Sequence, residues 1–140
     1  MGPRTRKLLR ISNPVRQSVL GDRIGVADTT LTRFVGLMGH GSLAPGHGLL
    51  IHPSSGVHTL WMRFTIDVLL LDKEDRVLSA YENLRPFRVT AINWRSSSAL
   101  ELPSGTIAAT NTQLGDQLQL TPVTPYSGFV QKHSSHHRHR

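Results

Sequence analysis

Three ionisable side chains sit where the sequence is otherwise oily, and each is a candidate for chemistry. His58 lies in VHTLWMRF (57–64), Asp67 lies between Ile66 and Val68 in TIDVLLLD (65–72), and Glu101 lies between Leu100 and Leu102. A buried imidazole or carboxylate must find hydrogen-bond partners or cost stability, so each is either a satisfied structural group or part of a site. Strand alternation puts His58, Leu60 and Met62 on one face, with Thr59, Trp61 and Arg63 on the other. His58 therefore reads as a hydrogen-bonded core histidine or as a ligand-contacting, acid–base group. Asp67 reads as an ion-paired or turn-capping carboxylate, with Arg63 the nearest basic residue, or as a functional acid. Glu101 poses the same choice. Convergence of these groups on one hollow would be the pattern of a ligand site.

Other chemistries lack their residues. With no cysteine there is no disulfide, thiolate metal site or thiol nucleophile. His40, His47, His52 and His58 fall close together, but His40 and His47 stand in a glycine-rich stretch without the i, i+4 spacing that aims two rings at one ion. They read as solvated loop histidines, and neither a metal nor a cofactor is expected. GHGSLAPGHG has no GK[ST] ending, no GxSxG elbow occurs, and Ser96, Ser97 and Ser98 read as a polar loop. Trp61, Trp94 and Tyr81 are too scattered for a base-stacking platform.

The elements that must position these residues are mostly strands. Short apolar runs at 7–11 and 19–26, separated by the turn dipeptide Asn13-Pro14, predict a first strand pair. Leu31, Phe34, Val35 and Met38 recur at helical spacing behind Asp28 and Thr29, which predicts one short helix over 29–38. Five glycines and prolines make 39–48 a loop. Strands are expected at 48–53, 57–64 and 65–72, and the polar break Lys73-Glu74-Asp75 predicts a hairpin into 76–84. Further strands are expected at 87–92, 98–102 and 116–120. The fold class is mainly β: a single-domain β-sandwich or flattened barrel with one short helix.

The 140 residues, 38% of them hydrophobic, suffice for one core. The formal charge is +7, but Arg4, Arg6, Lys7, Arg10 and Arg16 supply +5 and Lys132, Arg138 and Arg140 supply +3, which leaves residues 17–131 at −1. The expected organisation is a disordered basic N-terminus at 1–6, one β-rich domain at 7–121 and a disordered His/Arg-rich tail at 122–140. The first residues lack the apolar core of a secretory signal, and no run approaches the roughly 20 apolar residues of a membrane span. The expected setting is cytoplasmic, without membrane contact.

Read in order, TRFVGLMG (32–39), GLLIHP (48–53), VHTLWMRFTIDVLLLD (57–72), LELPSGT (100–106) and LGDQLQL (114–120) resemble the motif series of the domain of unknown function 192 family, also called uncharacterised protein family 0127. The resemblance implies a β-rich single domain with one helix and no established activity. His58, Thr59, Met62, Arg63, Phe64, Asp67, Asp72 and Glu101 coincide with the family pattern. His40 and His47 stand where relatives tend to show Arg and an acidic residue, which argues against a four-histidine metal site. Ser54 stands where relatives commonly carry cysteine.

These readings lead to a small-molecule or glycan-binding module with a polar pocket around His58 to Asp67, contacted by His58, Thr59, Met62, Arg63, Asp67 and Glu101. Two alternatives are a hydrolase-type enzyme using His58 with Asp67 or Glu101, and weak nucleic-acid binding through the basic tails. Nucleic acid is not the expected partner, because the positive charge lies on the tails and not on a folded face. The residues do not indicate an oligomeric state.

Overall fold

The computed structural model describes residues 8–27, 43–54, 56, 64–86, 88 and 90–123. Seven strands form one sheet that is not closed: β1 (Leu8–Asn13), β2 (Ser18–Ala27), β3 (His47–Ile51), β4 (Ile66–Leu71), β5 (Val77–Leu84), β6 (Ser98–Pro103) and β7 (Gln119–Val123), in the spatial order β5-β4-β6-β3-β2-β1-β7. Every neighbouring pair is antiparallel except β2 and β3. The helix α1 (Thr106–Thr110) follows β6.

The two central strands explain the unbroken oiliness of the middle of the chain. β4 and the first five residues of β6 are buried throughout, so both sheet faces are covered there and alternation is lost. One face carries Ile11, Ile24, Leu50, Leu69, Leu71, Leu100 and Leu102, joined by Ile107 from α1. The opposite face carries Ile51, Ile66, Val68, Leu70 and Ala99, with Leu43, Leu49, Phe64, Tyr81 and Leu84 packed against them. Burial of each leucine in β4 contributes about 1.5–3 kcal/mol.

The expected first strand pair and the hairpin between β4 and β5 are both present. Asp72 shapes that hairpin turn: its Oδ1 accepts the amides of Glu74 and Arg76 at 2.9 and 3.0 Å. Accepting the Arg76 amide, above all, holds its pKa below the usual carboxylate value. The two ends of the sheet approach one another without forming a ladder. Val77 donates to the Asp116 carbonyl at 2.9 Å, Gly115 to the Val77 carbonyl at 2.8 Å, and Leu118 to the Asp75 carbonyl at 3.0 Å.

One local expectation needs correction, and one helix lies where none was expected. The described part of 87–92 (Arg88 and 90–92) is not a strand: among the described residues it joins no ladder, and Ile92 stays 62% exposed, so an extended pairing there would leave its apolar side chain in water. The one described helix is Thr106–Thr110, a segment to which the sequence reading assigns no element. The helix expected at 29–38 and most of the strand expected at 57–64 lie outside the described residues. Strand β7 runs on through Val123, pairing Leu9 with Pro122 and Leu8 with Val123. Among the described residues no helix is long and apolar enough to cross a membrane.

Candidate functional site

Asp67 is fully buried, and both its carboxylate oxygens accept backbone amides. Between the pairs Ile66–Leu84 and Val68–Tyr81 the register shifts, so Asp67 alone faces Glu82 and Asn83, which is a bulge in β5. Asn83 adopts φ 54° there, and its amide donates to Asp67 Oδ1 at 2.8 Å. The other oxygen, Oδ2, receives the Ile107 amide at 2.8 Å. That amide belongs to the first turn of α1, whose N-cap Gly105 has no side chain to offer and whose first turn holds no acidic residue. Asp67 thus caps the helix from across the fold and pins the β5 bulge at the same time. Of the alternatives open from sequence, the capping carboxylate is the one these bonds describe.

Glu101 is equally buried but points the other way. It stands opposite Val68 on one side and Leu49 on the other, while Asp67 stands opposite Leu102. Neighbouring positions along a strand project to opposite faces, so the sheet itself separates the two carboxylates. They do not share a hollow, and a catalyst cannot use both. Glu101 carries polar or electrostatic contact of its own. His58, Thr59, Met62 and Arg63, the remaining candidates, lie outside the described residues. Phe64, where the description resumes, packs on the Glu101 face with Tyr81 and Leu84.

Among the described residues, a groove lies beside that face. It measures about 460 Å³ and is lined by residues 80–85 and Arg88, that is, by the bulged end of edge strand β5 and the chain leaving it. Its size falls within the range of small-molecule sites, roughly 300–1,000 Å³. Tyr81 belongs both to the groove and to the apolar cluster, and it ends a row across four strands: Leu49, Glu101, Val68, Tyr81. Asn83 is held from two sides, by the Asp67 carboxylate on its amide and by the Ser104 hydroxyl, which donates to its Oδ1. Asp67 therefore acts on the groove indirectly, through the backbone it fixes.

Sequence reasoning missed a second buried polar centre. Asp116 is 5% exposed and takes a two-pronged ion pair from Arg16, Nε to Oδ2 at 2.9 Å and Nη2 to Oδ1 at 3.0 Å. Asn13 Nδ2 donates to Oδ2 at 2.9 Å, and the Gln113 amide does so at 2.9 Å. The Arg16 hydrogen bonds, reinforced by those of Asn13 and Gln113 and opposed by desolvation, hold the Asp116 carboxyl down at about 2. The network ties the β1–β2 turn to the turn before β7. The Gly-Asp pair in LGDQLQL was visible in sequence, but Arg16 read as one more cation of a basic end.

The remaining polar candidates are local. His47 and His52 are exposed, and among the described residues no three His, Cys, Asp or Glu side chains are grouped to hold a metal. Ser54 closes a short turn, its hydroxyl donating to the Gly56 carbonyl at 2.7 Å.

A family model, DUF192, described as an uncharacterized ACR, matches residues 13–120. Two solved structures share the fold. One, from Sinorhizobium meliloti 1021 and described as a candidate transcription regulator, is 22% identical with a TM-score of 0.67, covering 86% of this chain and 97% of its own. The other, a protein of unknown function from Novosphingobium aromaticivorans DSM 12444, is 16% identical with a TM-score of 0.67, covering 85% of this chain and 99% of its own. The comparison with curated proteins finds no match.

Proposed function

Because this chain belongs to the DUF192 family of uncharacterized proteins, whose fold alone prescribes no chemistry, we propose from its own surface that it is a small-molecule or glycan-binding module. The observation that carries this reading is the groove of about 460 Å³ along the bulged end of β5, with Tyr81 in its wall. A tyrosine that packs its ring into an apolar cluster and borders open space offers a ligand both a flat apolar surface and a hydroxyl. The polar groups around it, Glu82, Asn83, Arg85 and Arg88, can fix the orientation of a bound molecule.

The pocket is thereby moved from Asp67 itself to the strand Asp67 holds. Asp67 becomes a positioning residue, since it is sealed from solvent and its two oxygens are engaged. The reading keeps His58, Thr59, Met62 and Arg63 as further contacts. What supports this is that the chain leaves their segment at Phe64, in the cluster that also holds Tyr81. Glu101 stays in the reading as a buried carboxylate behind the same face.

A screen of mono- and oligosaccharides and common metabolites by thermal shift, followed by calorimetric titration, tests the proposal. At least one compound should stabilise the wild-type chain, and Tyr81→Ala should weaken its binding by about tenfold, the loss of one good aromatic contact. A ligand that binds Tyr81→Ala as tightly as wild type, or no ligand at all, overturns it.

A further inference from the structure

We propose that the groove along β5 selects an anionic ligand, a small molecule bearing a carboxylate or a phosphate, with Arg85 and Arg88 as the groups that hold the anion. This rests on the binding reading above and narrows it to a ligand class. The groove wall contains two guanidinium groups and one carboxylate, that of Glu82, and all three side chains are exposed. From Asn83 to Leu100 the sequence has no acidic residue, while Arg85, Arg88 and Arg95 all fall within it. The groove wall therefore carries a positive balance, Arg85 and Arg88 against the one carboxylate of Glu82.

The short spacing of the two arginines allows both to reach one anion. Arg85 and Arg88 are separated by two residues, the first of which is Pro86, so their α-carbons lie no more than about 11 Å apart even at full extension. Proline fixes one backbone dihedral of this short link and reduces the freedom lost when both side chains close on a ligand. Each arginine already makes at least one other interaction. A guanidinium has five donor hydrogens in a rigid fork, so one such contact leaves donors for a two-pronged bond to a carboxylate or phosphate. Tyr81 then supplies the flat surface for the uncharged body of the ligand, as a sugar ring would require. A neutral sugar would accept hydrogen bonds from the guanidinium groups but without the added strength of an anionic acceptor.

The test uses the full chain and three probes of matched shape: glucose, glucuronate and glucose 6-phosphate, titrated calorimetrically at low and at moderate salt. The two anionic probes should bind at least about tenfold more tightly than glucose, the size of one charge-assisted hydrogen bond. Arg85→Gln with Arg88→Gln should remove that preference, Arg85→Lys with Arg88→Lys should retain part of it, and Arg23→Gln on β2 should leave it unchanged. Circular dichroism establishes that each variant is folded, and the wild-type preference among the three probes needs no variant. Equal binding of glucose and the charged probes overturns the inference while leaving a binding module standing. Equal loss of the preference in Arg23→Gln assigns the effect to overall charge and also overturns it. Failure of all three probes, together with failure of the wider ligand screen, refutes the binding reading itself.

Discussion

Replacing Asp67 by alanine should destabilise the fold far beyond what the loss of one side chain in a strand implies. The substitution removes the acceptor for two backbone amides, those of Asn83 and Ile107, each at 2.8 Å. A hydrogen bond to a charged group contributes about 1.5–3 kcal/mol. The Ile107 bond is buried and belongs near the top of that range, while the Asn83 bond is only partly buried and belongs near the bottom. Together they come to about 4 kcal/mol, a large share of the roughly 5–15 kcal/mol that hold a typical domain folded. For a domain of this size that is a fall in Tm of roughly 15 °C. Asp67→Asn keeps one acceptor but turns an NH2 group toward the second amide, so it should recover less than half of the loss. Urea unfolding followed by circular dichroism measures the stability, and amide hydrogen exchange at Ile107 and Asn83 measures the two bonds separately. Both amides should lose protection together, although they are 24 positions apart in sequence. A loss below about 1 kcal/mol, or unchanged exchange at either amide, would refute the role assigned to Asp67.

Other outcomes follow from the same structure. A Cβ placed on Gly48 would lie 2.6 Å from the Glu101 carbonyl oxygen and 2.8 Å from Ile24 Cδ1, so Gly48→Ala must push β3 away from β6 and should cost about 1–3 kcal/mol, read by urea titration. The Asp116 carboxyl titrates at about 2 in the fold against the usual 3.8, so its protons bind more weakly to the folded chain than to the unfolded one. Its contribution is complete above about pH 4 and is lost as pH falls through about 2, and the stability curves of wild type and Asp116→Asn should converge across that window. Weakened ligand binding in Tyr81→Ala and loss of the anion preference in the double arginine variant complete the set.

How much of this was legible in the sequence depended on where the partner of each residue sits. Strands β4 and β5 were readable because Lys73-Glu74-Asp75 interrupts two apolar runs, a signal contained in a few neighbouring residues. Asp67 announced that it needed partners, since a carboxylate between Ile66 and Val68 cannot stay unsatisfied. Its actual partners are backbone amides 16 and 40 positions away, and an amide has no side-chain signature to point to it. Arg63 was the natural guess because sequence shows only charges. Convergence of Asp67 and Glu101 failed as an expectation for a similar reason: only the pairing of Val68 with Glu101 reveals that they occupy opposite faces. Helix α1, at five residues, is shorter than any window in which a 3.6-residue period can be recognised, and its cap comes from Asp67 instead of a neighbouring Ser or Thr. The groove was hidden because it is made by a bulge, and a bulge is a fault in register between two strands that no single strand displays.

The placement of β1 between β2 and β7 has a bearing on how the chain is made. As the polypeptide leaves the ribosome, β1 can dock on β2 at once, but its other edge waits for Gln119–Val123. Through most of synthesis that flank is an open template for pairing with a neighbouring nascent chain. A ladder joining the first described residues to the last also gives a high contact order and hence a slow final folding step. Stalled or truncated products that end before about residue 119 should therefore be the forms that aggregate.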